Sequence, residues 1–281
     1  MTARTLLACL LLWCTCAQAS PAKSHQFKSS DGVKLHYLEA GVGPMTLVFV
    51  PGWLMPASIF ERQIADLSSD YRVIVLDPRG QGRSKAPVDK LQAVSRARDV
   101  DELLRHARVG PHVLIGWSLG VMEVLDYSVR FQHPQLRGLV LIDNSIGMAS
   151  PPASALNRNR PMKADAFRAY VNRFAAGMFK QTPPEGMLSA IEASATQLPP
   201  PAAWGLLNKP YDRTYYKNAV LAATTPVWYA ITPRFAEQSA ELLQTHPQAS
   251  ATVFEDAGHA LFVDKADLFN QGLRQFLAST P

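Results

Sequence analysis

The stretch His112-Val113-Leu114-Ile115-Gly116-Trp117-Ser118-Leu119-Gly120 decides how this chain folds. Its first four residues form a short, largely apolar run, the length of a strand covered on both faces. The following segment, Val121–Phe131, has helical spacing and is stopped by Pro134. Between strand and helix stands a serine with a glycine two positions to either side. A strand turning this sharply needs small flanking residues, because the two backbone limbs approach closely. The turn lifts its central side chain to the sheet edge, beside a helix N-terminus that favours negative charge. A serine hydroxyl is a weak nucleophile and needs such exposure, a neighbouring base and donors for an oxyanion. A plain Gly-rich turn without chemistry is the alternative reading of the same residues.

Working outward, the same pattern of apolar run, turn and helical stretch recurs. Thr46–Val50 ends at Pro51-Gly52, with helical spacing over Ile59–Leu67. Arg72–Leu76 ends at Asp77-Pro78-Arg79-Gly80 and precedes a helical Lys90–Ala107. Arg137–Ile142 is the fourth run. Ahead of them, His25–Lys28 and Val33–Tyr37 flank Ser-Ser-Asp-Gly, a hairpin signal. Apolar runs alternating with helices predict an α/β, doubly wound, mostly parallel sheet. The alternation breaks after Ile142 and resumes at Pro226–Ile231, with a helix near Arg234–Leu243, a strand Ala251–Phe254 and a last helix Lys265–Leu277.

The interval 144–223 holds helical pieces around Ala164–Phe179 and Pro184–Ala195, separated by Pro151-Pro152, Pro183-Pro184, Pro199-Pro200-Pro201 and Pro210. Proline removes a backbone donor and disfavours helix before it, so these pieces stay short. The expected organisation is a core in two parts, 20–143 and 224–281, with 144–223 as a helical cap or lid. A disordered linker is the other reading, and Phe167, Tyr170, Phe174, Phe179 and Trp204 argue against it.

Taken together, these motifs resemble the α/β-hydrolase superfamily over nearly all of Phe27 to Phe276. The resemblance rests on Val50-Pro51-Gly52-Trp53, Asp77-Pro78-Arg79-Gly80-Gln81-Gly82-Arg83-Ser84, Gly116-Trp117-Ser118-Leu119-Gly120 and Ala257-Gly258-His259, in order and at the right strand ends. Within the superfamily the chain looks closest to small carboxylesterases of the pimeloyl-ester demethylating type, and cofactor-free haloperoxidase-type esterases are also similar. The resemblance implies Ser118 as nucleophile, His259 as its base, and the backbone N–H groups of Trp53 and Leu119 as oxyanion donors. Pro51 stands where the family often has His, which leaves the amide of Trp53 untouched. Independently of the family, His259 is the best base among seven histidines: it alone follows a strand on a Gly-containing loop, Asp256-Ala257-Gly258.

The acid departs from the family pattern. It usually follows the strand that here is Pro226–Ile231, yet this chain continues Thr232-Pro233-Arg234-Phe235 with no carboxylate until Glu237. An arginine there opposes the imidazolium that an acid must stabilise. Asp143, directly after Arg137–Ile142, is the favoured candidate, because some superfamily members carry their acid on that strand. Glu237, or a water-supported Ser–His pair, stands as the alternative, and Asp143 could equally bond locally in a turn. Asp77 and Arg79 read as structural parts of their loop.

Composition bounds the rest. Of 281 residues, 47% are hydrophobic and 18% charged, enough for a sizeable core. The formal charge of +5 is scattered without a basic run, so no nucleic-acid partner is expected. Histidines are dispersed and no Gly-x-Gly-x-x-Gly signature occurs, so neither a metal nor a cofactor is expected. Residues 1–19 read as a signal peptide: Arg4, the apolar Leu6–Trp13, and Ala17-Gln18-Ala19 before a cleavage point. The apolar run is too short for a span of about 20 residues. Cys9, Cys14 and Cys16 all lie inside this segment, leaving no cysteine chemistry in the mature chain. The expected protein is a periplasmic or secreted serine hydrolase acting on small-molecule carboxylic esters. Lactone, amide or thioester hydrolysis uses the same residues, a non-catalytic receptor uses the same scaffold, and an anchored membrane-surface protein would retain Met1–Ala19, which the mass of exported material decides.

Overall fold

The computed structural model describes residues 21–149 and 162–280. The expected signal segment, its three cysteines and Pro151-Pro152 lie outside the described residues. The strands are β1 (Lys23–Lys28), β2 (Lys34–Ala40), β3 (Thr46–Val50), β4 (Arg72–Asp77), β5 (His112–Trp117), β6 (Leu136–Ile142), β7 (Val227–Ile231) and β8 (Ala249–Val253). They form one sheet in the order β1-β2-β4-β3-β5-β6-β7-β8. β1 to β2 and β2 to β4 are antiparallel, and every later pair is parallel. The predicted doubly wound sheet is therefore present, with the first hairpin added as an antiparallel margin. The last strand begins two residues earlier than the sequence pattern suggests, because only Ala249–Val253 pair with β7.

Helices α1 (Glu61–Leu67), α2 (Ala93–His106) and α3 (Leu119–Phe131) follow β3, β4 and β5. Between β6 and β7 the described residues form α4 (Ala164–Ala176), α5 (Met187–Ala195), α6 (Pro200–Gly205) and α7 (Arg213–Leu221). The last two were not distinguishable from the Pro-rich sequence around them. Pro200 and Pro201 open α6, where a missing N–H costs nothing, and Asp212 caps α7 by accepting from Tyr215 N–H at 2.9 Å. Beyond β7 come α8 (Ala236–Thr245), a short α9 (Leu261–Asp264) and α10 (Ala266–Ala278).

Strand alternation sorts the core into two layers. Val48, Val50, Ile74, Leu76 and Leu114 pack toward α2, α3 and α7. Leu47, Phe49, Val73, Val75, Val113 and Ile115 pack toward α1 and α10, whose Phe269, Leu273 and Phe276 repeat at helical spacing. A third apolar cluster contains Trp53, Leu54, Leu119, Phe167, Val171, Leu198 and Trp204. It joins the segment between β6 and β7 to the turns after β3 and β5.

Buried charge fixes the loop after β4. Arg79 is fully buried and meets Asp99 at 2.5 Å and Asp31 at 3.0 Å. Asp77 accepts the backbone N–H groups of Ala57 and Arg83 at 2.5 and 2.8 Å. Both residues take the structural parts that the sequence suggested.

His112 opens β5 from a fully buried position, its Nδ1 2.8 Å from the Gly110 carbonyl oxygen. Its Nε2 has no partner, so a proton there would be stranded in the core, and burial pushes the imidazole down to about 4. The folded state thus keeps His112 neutral while the unfolded chain takes up a proton below about 6.5. Stability from this group is complete above pH 6.5 and is lost as pH falls toward 4, by on the order of 3 kcal/mol. Urea midpoints should fall across that window in the native chain and fall less in His112→Phe. Parallel pH curves for the two would overturn the assignment.

Candidate active site

Ser118 sits between β5 and α3 at φ 54° and ψ −117°, a conformation that costs a non-glycine residue energy. The surrounding backbone enforces it. The Ser118 N–H donates to the Ile142 carbonyl at 3.0 Å, and a Cβ on Gly120 would meet the Val50 carbonyl oxygen at 2.1 Å. Only glycine lets α3 start so close to β3. The result is a partly exposed hydroxyl at the C-terminal end of the central strand, at the mouth of a helix.

Three strand ends converge there. His259 Nε2 lies 2.9 Å from Ser118 Oγ, and His259 Nδ1 lies 2.7 Å from Asp143 Oδ2. An ionised carboxylate is an acceptor only, so Nδ1 carries the proton and Nε2 is free to accept one from the serine. Asp143 is buried, whereas the His259 side chain is 27% exposed, so the relay opens to solvent at the imidazole and hydroxyl. Glu237, the rival carboxylate, is an exposed residue in the first turn of α8. The structure therefore brings Ser118, His259 and Asp143 together and places Asp143, not Glu237, on the imidazole.

The turns that carry the two expected oxyanion donors lie beside Ser118. Gly52 passes so near the elbow that a Cβ on it would stand 2.9 Å from Ser118 Cβ, which puts the next amide, Trp53, alongside. Leu119 is the first residue of α3, where N–H groups have no intrahelical acceptor. Among the described residues neither the Trp53 nor the Leu119 N–H has a hydrogen-bond partner. Leu54, by contrast, donates its N–H to Gln81 and stands at φ 65°, which holds the turn open.

Several positioning contacts had no sequence signature. Thr232, at the end of β7, donates its N–H and its hydroxyl to Asp143 Oδ1 at 2.8 and 2.7 Å. Asp143 itself stands at φ 45°, held by its N–H bond to the Ala230 carbonyl at 3.0 Å. Asn144 Nδ2 donates to the Ser118 carbonyl at 2.5 Å. Trp117 Nε1 donates to the His259 carbonyl at 2.9 Å, with ring centroids 5.2 Å apart. Trp117 and Met55 belong to the core layer that holds Phe60 and Phe262, beneath the imidazole. Leu54, Met162, Phe167, Phe174 and Trp204 do gather around Trp53.

The segment between β6 and β7 is tied to these turns by polar contacts. Trp53 Nε1 donates to the Ala203 carbonyl at 2.7 Å. Asp264 accepts the N–H groups of Lys180, Gln181 and Gly258 at 2.9, 3.1 and 2.7 Å, clasping the chain after α4 to the histidine loop. A groove of about 960 Å³ lies elsewhere, among His133, Arg137, Thr225 and Pro226 at the opposite strand ends, and contains none of the three relay residues. Among the described residues no group of three His, Cys, Asp or Glu is placed to hold a metal ion, and no helix is long and apolar enough to cross a membrane.

Comparison with known proteins places this geometry in a family. The model of the alpha/beta hydrolase family matches residues 47–271. A cis-3-alkyl-4-alkyloxetan-2-one decarboxylase of Xanthomonas campestris pv. campestris is 26% identical over 89% of this chain and 94% of its own length. A pimeloyl-[acyl-carrier protein] methyl ester esterase of Xanthomonas axonopodis pv. citri is 26% identical over 88% of this chain and all of its own, 100%. Among solved structures, that of a putative aryl esterase from Burkholderia cenocepacia superposes with a TM-score of 0.80 at 20% identity, covering 92% of this chain and 98% of that one. With 225 consecutive positions matched by the family model, the chain belongs to the alpha/beta hydrolase family.

Proposed function

We propose that this chain is an exported serine hydrolase that cleaves carboxylic esters through an acyl-Ser118 intermediate. The observation that carries the proposal is the continuous relay from Ser118 Oγ through both nitrogens of His259 to Asp143, at 2.9 and 2.7 Å. His259 Nε2 takes the serine proton as Oγ bonds to the ester carbonyl carbon. The Trp53 and Leu119 N–H groups hold the oxyanion, each worth ~3 kcal/mol in the transition state. Protonated His259 then gives its proton to the departing alcohol. Water, deprotonated by the same nitrogen, attacks the acyl-serine and frees the acid. Asp143 keeps Nδ1 protonated and stabilises the imidazolium in both halves.

Helices α4 to α7 act as a cap over the site. The aromatic cluster of Trp53, Phe167, Phe174 and Trp204 supports an acyl or aromatic ester of small to moderate size, because its surface is mainly apolar. The relative named as an esterase supports the ester reading. The relative named for an oxetan-2-one, a strained lactone, supports a second reading in which the same relay opens a four-membered ring.

A panel of p-nitrophenyl esters, β-lactones and acyl-amides of matched acyl length tests the choice. Esters should lead the panel, with kcat/KM on the order of typical enzyme values. Lactones ahead of every ester would replace the first reading by the second, and turnover of none would remove both.

A further inference from the structure

A second serine–histidine–aspartate relay stands on the first hairpin, separate from the site above. Ser24 Oγ lies 2.8 Å from His36 Nε2, and His36 Nδ1 lies 2.7 Å from Asp77 Oδ2. These lengths match those at Ser118, His259 and Asp143. Antiparallel pairing produces the arrangement. Ser24 faces Leu38 and Gln26 faces His36, so Ser24 and His36 are diagonal neighbours on one face of the sheet. His36 is itself opposite Asp77 in the pairing of β2 with β4.

The burial of the three groups is graded as a nucleophile requires. His36 and Asp77 are 1% and 2% exposed, whereas Ser24 is exposed. Asp77 is pinned by the Ala57 and Arg83 N–H groups and holds the imidazole at Nδ1, and the His36 backbone N–H donates to Ser84 Oγ at 2.7 Å. The carboxylate fixes the proton on Nδ1. Nε2 then has one partner, the hydroxyl of a serine that solvent and solutes reach.

We propose that Ser24 is a second acyl-accepting serine, which captures the acyl group of activated aryl esters with His36 as general base. His36 Nε2 takes the Oγ proton, Oγ bonds to the carbonyl carbon, and the aryl oxygen leaves as phenolate. The proton passes from His36 to solvent, leaving an O-acyl serine. Ser24 lies inside β1 and not at a strand-to-helix turn, so it lacks the elbow that sets amides beside Ser118. Its tetrahedral intermediate is therefore stabilised by water alone, and the reaction stops at stoichiometric acylation.

The experiment uses the Ser118→Ala chain, so its result is independent of the function proposed for Ser118. The protein is incubated with p-nitrophenyl acetate and digested, and acetyl esters are located by mass spectrometry as hydroxylamine-labile groups. Ser189, exposed on α5, is the internal control. A positioned base accelerates such a step about a hundredfold. Ser24 should acetylate about a hundredfold faster than Ser189. The additional change His36→Gln should erase the advantage. Equal rates at Ser24 and Ser189 would overturn the proposal. The ratio is read in the chain with His36 intact, so it stands even where His36→Gln fails to fold.

Discussion

Ser118→Ala is expected to lower kcat on a p-nitrophenyl ester by about a millionfold and to abolish fluorophosphonate labelling of the peptide that contains residue 118. The size follows from what the hydroxyl does and does not touch. Its hydrogen-bond partner is His259 Nε2, so removing it deletes the attacking atom without breaking a structural bond. Alanine adopts the φ of 54° no less easily than serine, and the bonds that hold the elbow run through the backbone N–H of residue 118 and its carbonyl. The variant should therefore fold with an unchanged thermal midpoint. A residual rate of about a thousandfold over water should persist, because the Trp53 and Leu119 N–H groups still bind the oxyanion. Near-normal turnover in a folded Ser118→Ala protein would remove the serine mechanism, and an unlabelled, inactive native protein would point to a receptor on a hydrolase scaffold.

Sequence patterning reached the architecture and much of the site for identifiable reasons. Parallel strands buried on both faces leave uninterrupted apolar runs, and β3 to β6 appear in the sequence within a residue or two of their observed ends. The elbow is legible because its glycines are dictated by backbone contact, as the 2.1 Å approach at Gly120 illustrates. Edge strands are less so. β8 is half-exposed and carries Ala, Ser and Thr, so its start was misplaced. Helices α6 and α7 lie among prolines that read only as breaks, and α9 is a single turn. Asp143 was reached by elimination and family analogy, since one aspartate after a strand has no pattern of its own. Thr232 and Asn144 were invisible for a different reason. Each acts through a bond to a residue distant in sequence, at separations of 89 and 26 positions, and side chains of this kind bond locally in most turns. The second relay at His36 was hidden in the same way: the hairpin signal places Ser24 near His36 only once the register of β1 on β2 is known.

Asp143→Asn should lower kcat by about four orders of magnitude while KM for a small ester changes little. An asparagine amide presents a donor or a neutral acceptor to Nδ1, so the imidazole is no longer held with its proton there, and the imidazolium loses its counter-charge in a site where the carboxylate is 3% exposed. Glu237→Gln should leave kcat unchanged, because that residue is exposed and Asp143 already occupies the imidazole's other nitrogen. The departure of the acid from the end of β7 is compensated by what stands there instead. Thr232 supplies two donors to Asp143 Oδ1, which leaves Oδ2 aimed at His259 and satisfies the buried carboxylate. Thr232→Val removes one of them, a hydrogen bond to a charged group worth about 1.5–3 kcal/mol, and should cost ten- to a hundredfold in kcat. Thr232→Ser retains the hydroxyl and should recover most of it. A purely structural role for Thr232 predicts instead a lower thermal midpoint with unchanged kcat per folded molecule. If Asp143→Asn turns over normally and Glu237→Gln does not, the acid lies on α8 and the 2.7 Å contact between Asp143 and His259 serves only to pack the loop.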